Sequence, residues 1–340
     1  MLFFTPDERM PMFFAHYKMT SLVLMTLSLL CLAVFPGGLA MAMYPERAVR
    51  IIVPFAPGGG TDVIARTLAQ EMAKQLGVSV VIENKPGAGT IIGTQAVAAS
   101  PADGYTLLMA TFSHAVNSSL GSKLPYDPHK DFAAVALIAR SFNIVVVNPK
   151  SSIRTIADLI AAAKADPDKL SYGTFGVGTS AHLAGELFKD MAKVNLTAVP
   201  YKGAVPAITD LIGGQIDVMF TTVVSAASLV ESGQLRAIAV TSAERLPLFP
   251  QVPTVAEAGL PGYAADGWYG LYAPAGTPTD VIDRLNKSAV SAVQFEAFQK
   301  LGVNEGLVTV ALPPEALDRY VRDEEERWRL VIRDAGIKVE

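Results

Sequence analysis

Thiol chemistry is almost missing from this chain, whose one cysteine, Cys31, sits inside an apolar N-terminal run. Once that run is removed, disulfides, cysteine nucleophiles, iron–sulfur clusters and thiolate zinc sites are excluded together. Histidine is nearly as scarce. There are four in 340 residues, with no H-E-x-x-H or other paired arrangement, so the sequence holds no metal motif and implies no cofactor. Basic residues are not in excess: 28 Lys and Arg stand against 32 Asp and Glu, a net charge of −4, which argues against a nucleic-acid partner. The chain also lacks a G-x-S-x-G elbow and the lysine of a nucleotide P-loop. Beyond residues 22–35 there is no long apolar run, and about 14 residues fall short of the roughly 20 that a membrane span needs.

The N-terminus has instead the pattern of an export signal: Lys18, the apolar run, Pro36-Gly37-Gly38 and a small-residue site at Ala40-Met41-Ala42. Cleavage after Ala42 is expected, with residues 1–42 as the signal peptide. The remaining chain of about 300 residues exceeds the comfortable size of one hydrophobic core and fits two lobes.

After Tyr44, short apolar runs alternate with helical patterns. Strands are expected at 49–55, 78–83 and 105–110, with helices at 61–76 and 89–99 between them, which indicates parallel βαβ units. Two apolar runs, 133–139 and 143–147, read as hinge strands. A second α/β series follows, with helices at 155–165, 180–193 and 206–213 and strands at 170–174, 196–201, 216–221 and 234–241. Residues 246–262 are rich in proline and glycine and read as a crossing over the surface. A strand at 268–272, a helix at 279–293 and a last helix from about 314 need a sheet to pack on, so they are expected to return to the first lobe. The expected fold is α/β with two lobes, 43–147 plus 265–340 as the first and 148–264 as the second.

Two stretches run from an apolar strand through a Gly/Ser/Thr loop into a helix: Gly58-Gly59-Gly60-Thr61-Asp62 and Gly176-Val177-Gly178-Thr179-Ser180. Each is a ready anion seat, because glycine lets the backbone approach a ligand and the free N–H groups of a helix's first turn lie at the positive end of its dipole. Two such seats more than a hundred residues apart suggest two lobes closing on one small anion. The candidate residues of the first seat are Phe55, Gly59, Gly60, Thr61 and Asp62. Those of the second are Thr174, Gly178, Thr179, Ser180 and His182. Thr111 and His114 follow the third strand, and Thr221 and Thr222 lie where a later strand ends, the place where open α/β sheets bind ligands. Trp268 and Tyr269 either wall a pocket or fill the core, and Asp217 reads as structural.

The rival reading is an exported enzyme. Residues 176–181 match G-x-G-x-x-A, the dinucleotide fingerprint read literally, but the next strand ends in Tyr201-Lys202-Gly203 rather than in the acid that would hold a ribose. A hydrolase assembled from Ser180, His182 and Asp217 would need Ser180 and His182 to meet, although residues two apart on a helix point in different directions.

The motifs together resemble the Bug family of periplasmic solute receptors, the TctC-like binding subunits of tripartite tricarboxylate transporters. The likeness is carried by Tyr44-Pro45, residues 52–62 (IVPFAPGGGTD), 83–89 (ENKPGAG), 101–107 (PADGYTL), Asp127-Pro128 with Lys130-Asp131-Phe132, Pro200-Tyr201-Lys202-Gly203, Gly213-Gly214-Gln215-Ile216-Asp217 and residues 273–278 (APAGTP). It implies a periplasmic-binding-protein (Venus flytrap) fold and a monomer without catalysis. The implied ligand is a small carboxylate: a di- or tricarboxylate, an acidic amino acid or an aromatic acid. It also implies a periplasmic location and membrane transporter subunits, or a sensor kinase, as partner. The carboxylate-holding role then falls on Gly59, Gly60, Thr61, Asp62, Gly178, Thr179, Ser180 and His182. One departure lies at Gly89-Thr90-Ile91-Ile92-Gly93, where the family often has a further glycine after the first.

Overall fold

The structure, a computed structural model, describes residues 2–3, 44–121 and 123–337. The expected export segment, with its apolar run, Cys31 and the cleavage site after Ala42, lies outside the described residues.

From Tyr44 the chain forms β1 (Val49–Val53), α1 (Gly60–Leu76), β2 (Val80–Asn84), α2 (Ile91–Ala98), β3 (Thr106–Thr111) and a short α3 (Phe112–Val116). Then come β4 (Phe132–Val147), α4 (Ile156–Ala165), β5 (Ser171–Thr174), α5 (Ser180–Ala192), β6 (Thr197–Pro200), α6 (Ala204–Gly213), β7 (Val218–Thr222), α7 (Val223–Glu231) and β8 (Arg236–Val240). The remainder is β9 (Asp266–Pro274), α8 (Thr279–Gln294), α9 (Glu296–Glu305), β10 (Val308–Leu312) and α10 (Pro314–Asp334).

Local chemistry accounts for most element ends. Helix α1 stops at Gly77, which takes the left-handed conformation (φ 75°) and returns its N–H to Ala73 O. Helix α4 starts at a reciprocal cap, with Thr155 Oγ1 accepting from Asp158 N while Asp158 Oδ2 accepts from Thr155 N. Helix α10 buries Leu317, Val321, Trp328 and Ile332, and the Trp328 ring meets Phe112 edge-on at 4.9 Å.

Strands β1, β2 and β3 are parallel, β9 joins β3 antiparallel, and the N-terminal half of β4 lies between β9 and β10. The C-terminal half of β4 belongs to the second sheet, where it pairs with β7 and β8 and is followed through β7 by parallel β5 and β6. The change of partner falls between Phe142, opposite Asp266 on β9, and Asn143, opposite Thr222 on β7. The fold is thus two-lobed, each lobe a mixed sheet flanked by helices, with parallel pairing among β1, β2 and β3 and among β5, β6 and β7 and antiparallel pairing along β4 and β9. Apart from Arg50 and the terminal Thr106 and Thr111, β1 and β3 are apolar and buried, because both faces of these strands are covered.

Two features differ from the sequence reading. The runs 133–139 and 143–147 are one strand of 16 residues, since Arg140, Ser141 and Phe142 continue the ladder on β9. The returning crossing is an interrupted ladder, in which Thr241 N donates to Asn143 O and Ala265 N to Thr241 O, both at 2.9 Å. Helices α3, α7 and α9 and strand β10 were not anticipated. Both α3 and α7 begin directly after a strand with no Gly or Pro between, so the sequence carries no punctuation there.

Candidate functional site

The carboxyl ends of β1, β3, β5 and β7 converge, and the loops that leave them face one another across the lobes. Ala56 N donates to Lys202 O at 3.1 Å, Gly60 N donates to Ser225 Oγ at 2.9 Å, and the Phe55 and Phe175 rings meet edge-on at 5.9 Å. The lobes are therefore apposed. Between them lie two adjoining pockets that share Phe55, Thr61, Phe175 and Thr222. One is completed by Gly59, Gly60, Ala204 and Ser225, the other by Thr111, Ser141, Ser180, Trp268 and Tyr269. Their free volumes are about 10 and 20 Å³. That is room for about one water each, so anything larger enters only as the lobes separate.

The first glycine loop is held by Asp62 from beneath. This buried carboxylate accepts from Gly58 N (3.0 Å) and Asn84 Nδ2 (2.9 Å) and pairs with Arg66 Nε (2.8 Å) and Nη2 (3.0 Å). Asn84 Nδ2 also donates to Phe55 O at 3.0 Å. Burial alone would raise the Asp62 pKa. The hydrogen bonds from Arg66, Gly58 and Asn84 outweigh it and hold the carboxyl below its ordinary value. Its stabilisation is therefore present above the ordinary aspartate pKa and lost as pH falls through the folded value. Replacing Asp62 by Asn should cost about 1–2 kcal/mol, discounted because Arg66 is half exposed. Urea unfolding of the ligand-free protein checks this, and an unchanged midpoint would contradict the role.

The second loop is largely occupied with its own geometry. Thr174 Oγ1 accepts from Gly176 N, Thr179 Oγ1 donates to Gly176 O (2.6 Å) and caps His182 N, and Gly178 N donates to His182 Nδ1 at 3.4 Å. With Nδ1 accepting, the ring proton of His182 sits on Nε2. Burial lowers the His182 pKa, with Glu186 opposing, so the ring brings no positive charge to the cleft at neutral pH. Ser180 Oγ donates to Asn143 Oδ1 at 3.2 Å, so its oxygen is engaged by the hinge strand and not by His182. Asp217 accepts from Ser171 N and Oγ, a structural use.

Of the sequence-derived candidates, Phe55, Gly59, Gly60, Thr61, Thr111 and Ser180 line the pockets. Asp62, Thr174, Gly178, Thr179 and His182 shape the loops behind them. His114 corrects its expected place beside the cleft: it is buried among Phe132 and Tyr272, with ring centroids at 5.1 and 4.8 Å. Thr221 is likewise fully buried and its neighbour Thr222 takes the pocket position, because alternate residues of a strand face opposite ways. Ser225, Ser141, Phe175 and Ala204 were missed, and Ser225 lies in the unanticipated α7.

At the family's point of departure, Thr90 adopts φ 83° without glycine's freedom, beside Gly89 at φ 58°. Asn117 Nδ2 secures this turn by donating to Gly89 O (3.1 Å) and Thr90 Oγ1 (3.3 Å).

A larger void of about 380 Å³ opens beside the crossing strands, lined by Arg140, Glu244, Arg245 and Asp266 among others. Its arginines are already paired, Arg140 with Asp266 (3.0 Å) and Arg245 with Glu257 (2.8 Å), and no glycine loop borders it. Among the described residues no three His, Cys, Asp or Glu side chains are grouped to hold a metal, and no helix is long and apolar enough to cross a membrane.

Two lobes joined by crossing strands, with a pocket at the facing strand ends, define a solute receptor of the periplasmic-binding-protein class. The periplasmic binding protein BugD has this architecture, with TM-score 0.85 at 36% identity, covering 87% of this chain and 100% of that one. A family profile described as tripartite tricarboxylate transporter family receptor (TctC) matches residues 64–337, and the chain belongs to that family. BugT of Bordetella pertussis is 38% identical over 298 residues, 87% of this chain and 91% of BugT. Two further solved structures are similar: Rpa4515 of R. palustris with adipate (TM-score 0.84, 37% identity, 87% and 99% covered) and MatC of Rhodopseudomonas palustris with bound malate (TM-score 0.82, 33% identity, 85% and 100% covered).

Proposed function

We propose that this chain captures a small carboxylate between its lobes and presents the closed form to the membrane subunits of a tripartite tricarboxylate-type transporter. One observation carries the reading: the Gly60 amide at the start of α1 donates across the cleft to Ser225 Oγ in the first turn of α7. A ligand carboxylate takes the place of that hydroxyl oxygen on the amide, where the positive helix end favours an anion. Adipate and malate on the two relatives support a carboxylate as the chemical class. The same reading gives a periplasmic monomer, cleaved after Ala42, with lobes 43–147 plus 265–340 and 148–264 and with no turnover.

A thermal-shift panel of dicarboxylates, tricarboxylates, acidic amino acids and aromatic acids tests it. At a hundredfold excess over Kd, stabilisation should reach about 2.7 kcal/mol. If folded, ligand-free protein responds to no member, the reading fails.

A further inference from the structure

A second seam between the lobes lies apart from the pockets, where the turn that enters α2 meets the loop that enters α5. Both sides are stripped to hydrogen at the contact: a Cβ on Gly89 would stand 2.3 Å from Val177 O, and one on Gly178 would stand 2.5 Å from Asn117 Oδ1. None of these residues lines either pocket. The turn is also an unusual piece of backbone, because four successive residues, Gly87, Ala88, Gly89 and Thr90, have positive φ (134°, 46°, 58° and 83°), and two of them carry side chains. Such a conformation persists only where its surroundings hold it. The holding group is Asn117, buried at the end of α3, whose Nδ2 donates to Gly89 O at 3.1 Å and to Thr90 Oγ1 at 3.3 Å. One planar amide thus ties the turn with its nitrogen and stands against Gly178 with its oxygen.

From this seam we propose that Asn117 is a positioning residue for lobe closure, which sets the affinity for every solute by one common factor and touches none of them. The proposal rests on capture between closing lobes and is indifferent to which solute is captured. The seam uses only the protein's own atoms, so its free energy belongs to the closed form and not to any one complex. Observed affinity is the intrinsic affinity scaled by the fraction of protein in the binding-competent form. With Asn117 in place the turn is already shaped when the lobes meet, and closure has no ordering of that segment to supply. Without the amide, Ala88 and Thr90 relax toward negative φ, and closing must first restore the left-handed turn before Gly89 can approach Val177 O. A pocket residue acts differently. Its loss removes a contact whose worth varies from solute to solute, so it changes their ranking.

The experiment compares the natural mature protein with Asn117→Ala and with Asn117→Asp, which keeps the side chain's shape and oxygen but loses the donor. Small-angle X-ray scattering of the ligand-free proteins reads lobe separation, and calorimetric titration with succinate, malate, adipate and citrate reads affinity. Both variants should have a larger radius of gyration than the natural protein and should bind each acid that it binds about tenfold more weakly, by the same factor throughout. Should Asn117→Ala fail to fold by circular dichroism, Asn117→Asp decides. An unchanged radius of gyration, or losses that differ from acid to acid, overturns the proposal and leaves solute capture standing. If the natural protein binds none of the four acids, the scattering comparison decides alone, and the capture reading is judged separately by the thermal-shift panel.

Discussion

Replacing Gly60 by Ala should weaken solute binding by roughly 10–100-fold while leaving the ligand-free fold intact, the methyl costing about 1–3 kcal/mol in the closed form. A Cβ there would lie 2.8 Å from Thr222 Oγ1, 3.0 Å from Ser225 Oγ and 3.1 Å from Val224 Cβ, all across the cleft. Gly60 is not among the glycines with positive φ, so alanine meets no backbone strain and the penalty falls on closure. Gly77, with nothing within 4 Å of its Cβ position but φ 75°, provides the contrast: alanine there strains the end of α1 and touches no ligand contact. Calorimetry on both variants separates the effects. Unchanged affinity in Gly60→Ala would show that the first glycine loop does not meet the second lobe in the bound state.

Acid should destabilise the protein through His114 by roughly 3 kcal/mol between pH 6.5 and 4, at 1.36 kcal/mol per pKa unit. Burial of the ring lowers its pKa to about 4; the Pro128 carbonyl opposes the shift and His129 adds to it. The unfolded ring takes up its proton near 6.5 and the folded ring only near 4, so the stability present above 6.5 is lost across that interval. Asp266 and Glu324 work in the other direction, since burial raises both carboxyls and their protonation favours the folded state as pH falls. Urea midpoints at pH 7 and pH 4 for the natural protein and for His114→Gln isolate the histidine. The variant should lose less stability on acidification, and an equal loss would place the acid sensitivity elsewhere.

Much of this architecture is legible in the amino-acid order. The parallel units around β1, β2 and β3 declare themselves through apolar runs bounded by Gly77 and Gly104, and the first glycine loop points to its pocket before any strand is paired. The second loop is legible as a turn but not as a wall. Its hydroxyls and amides are mostly spent on Gly176, His182 and Asn143, which nothing in the local pattern foretells. His114 and Thr221 are plausible cleft residues by position, yet strand alternation and an aromatic cluster assembled from Phe132 and Tyr272 carry them into the interior.

Hydrophobic period, glycine placement and helix caps act over a few residues, and they settled the α/β class, the lobe-building units and the glycine-led start of α1. The opposite wall depends on contacts at great separation, such as Gly60 with Ser225, 165 residues apart, and Asn143 with Thr241, 98 residues apart. Such contacts arise only when β4 passes from one sheet into the other and sets the ends of β1 and β7 face to face.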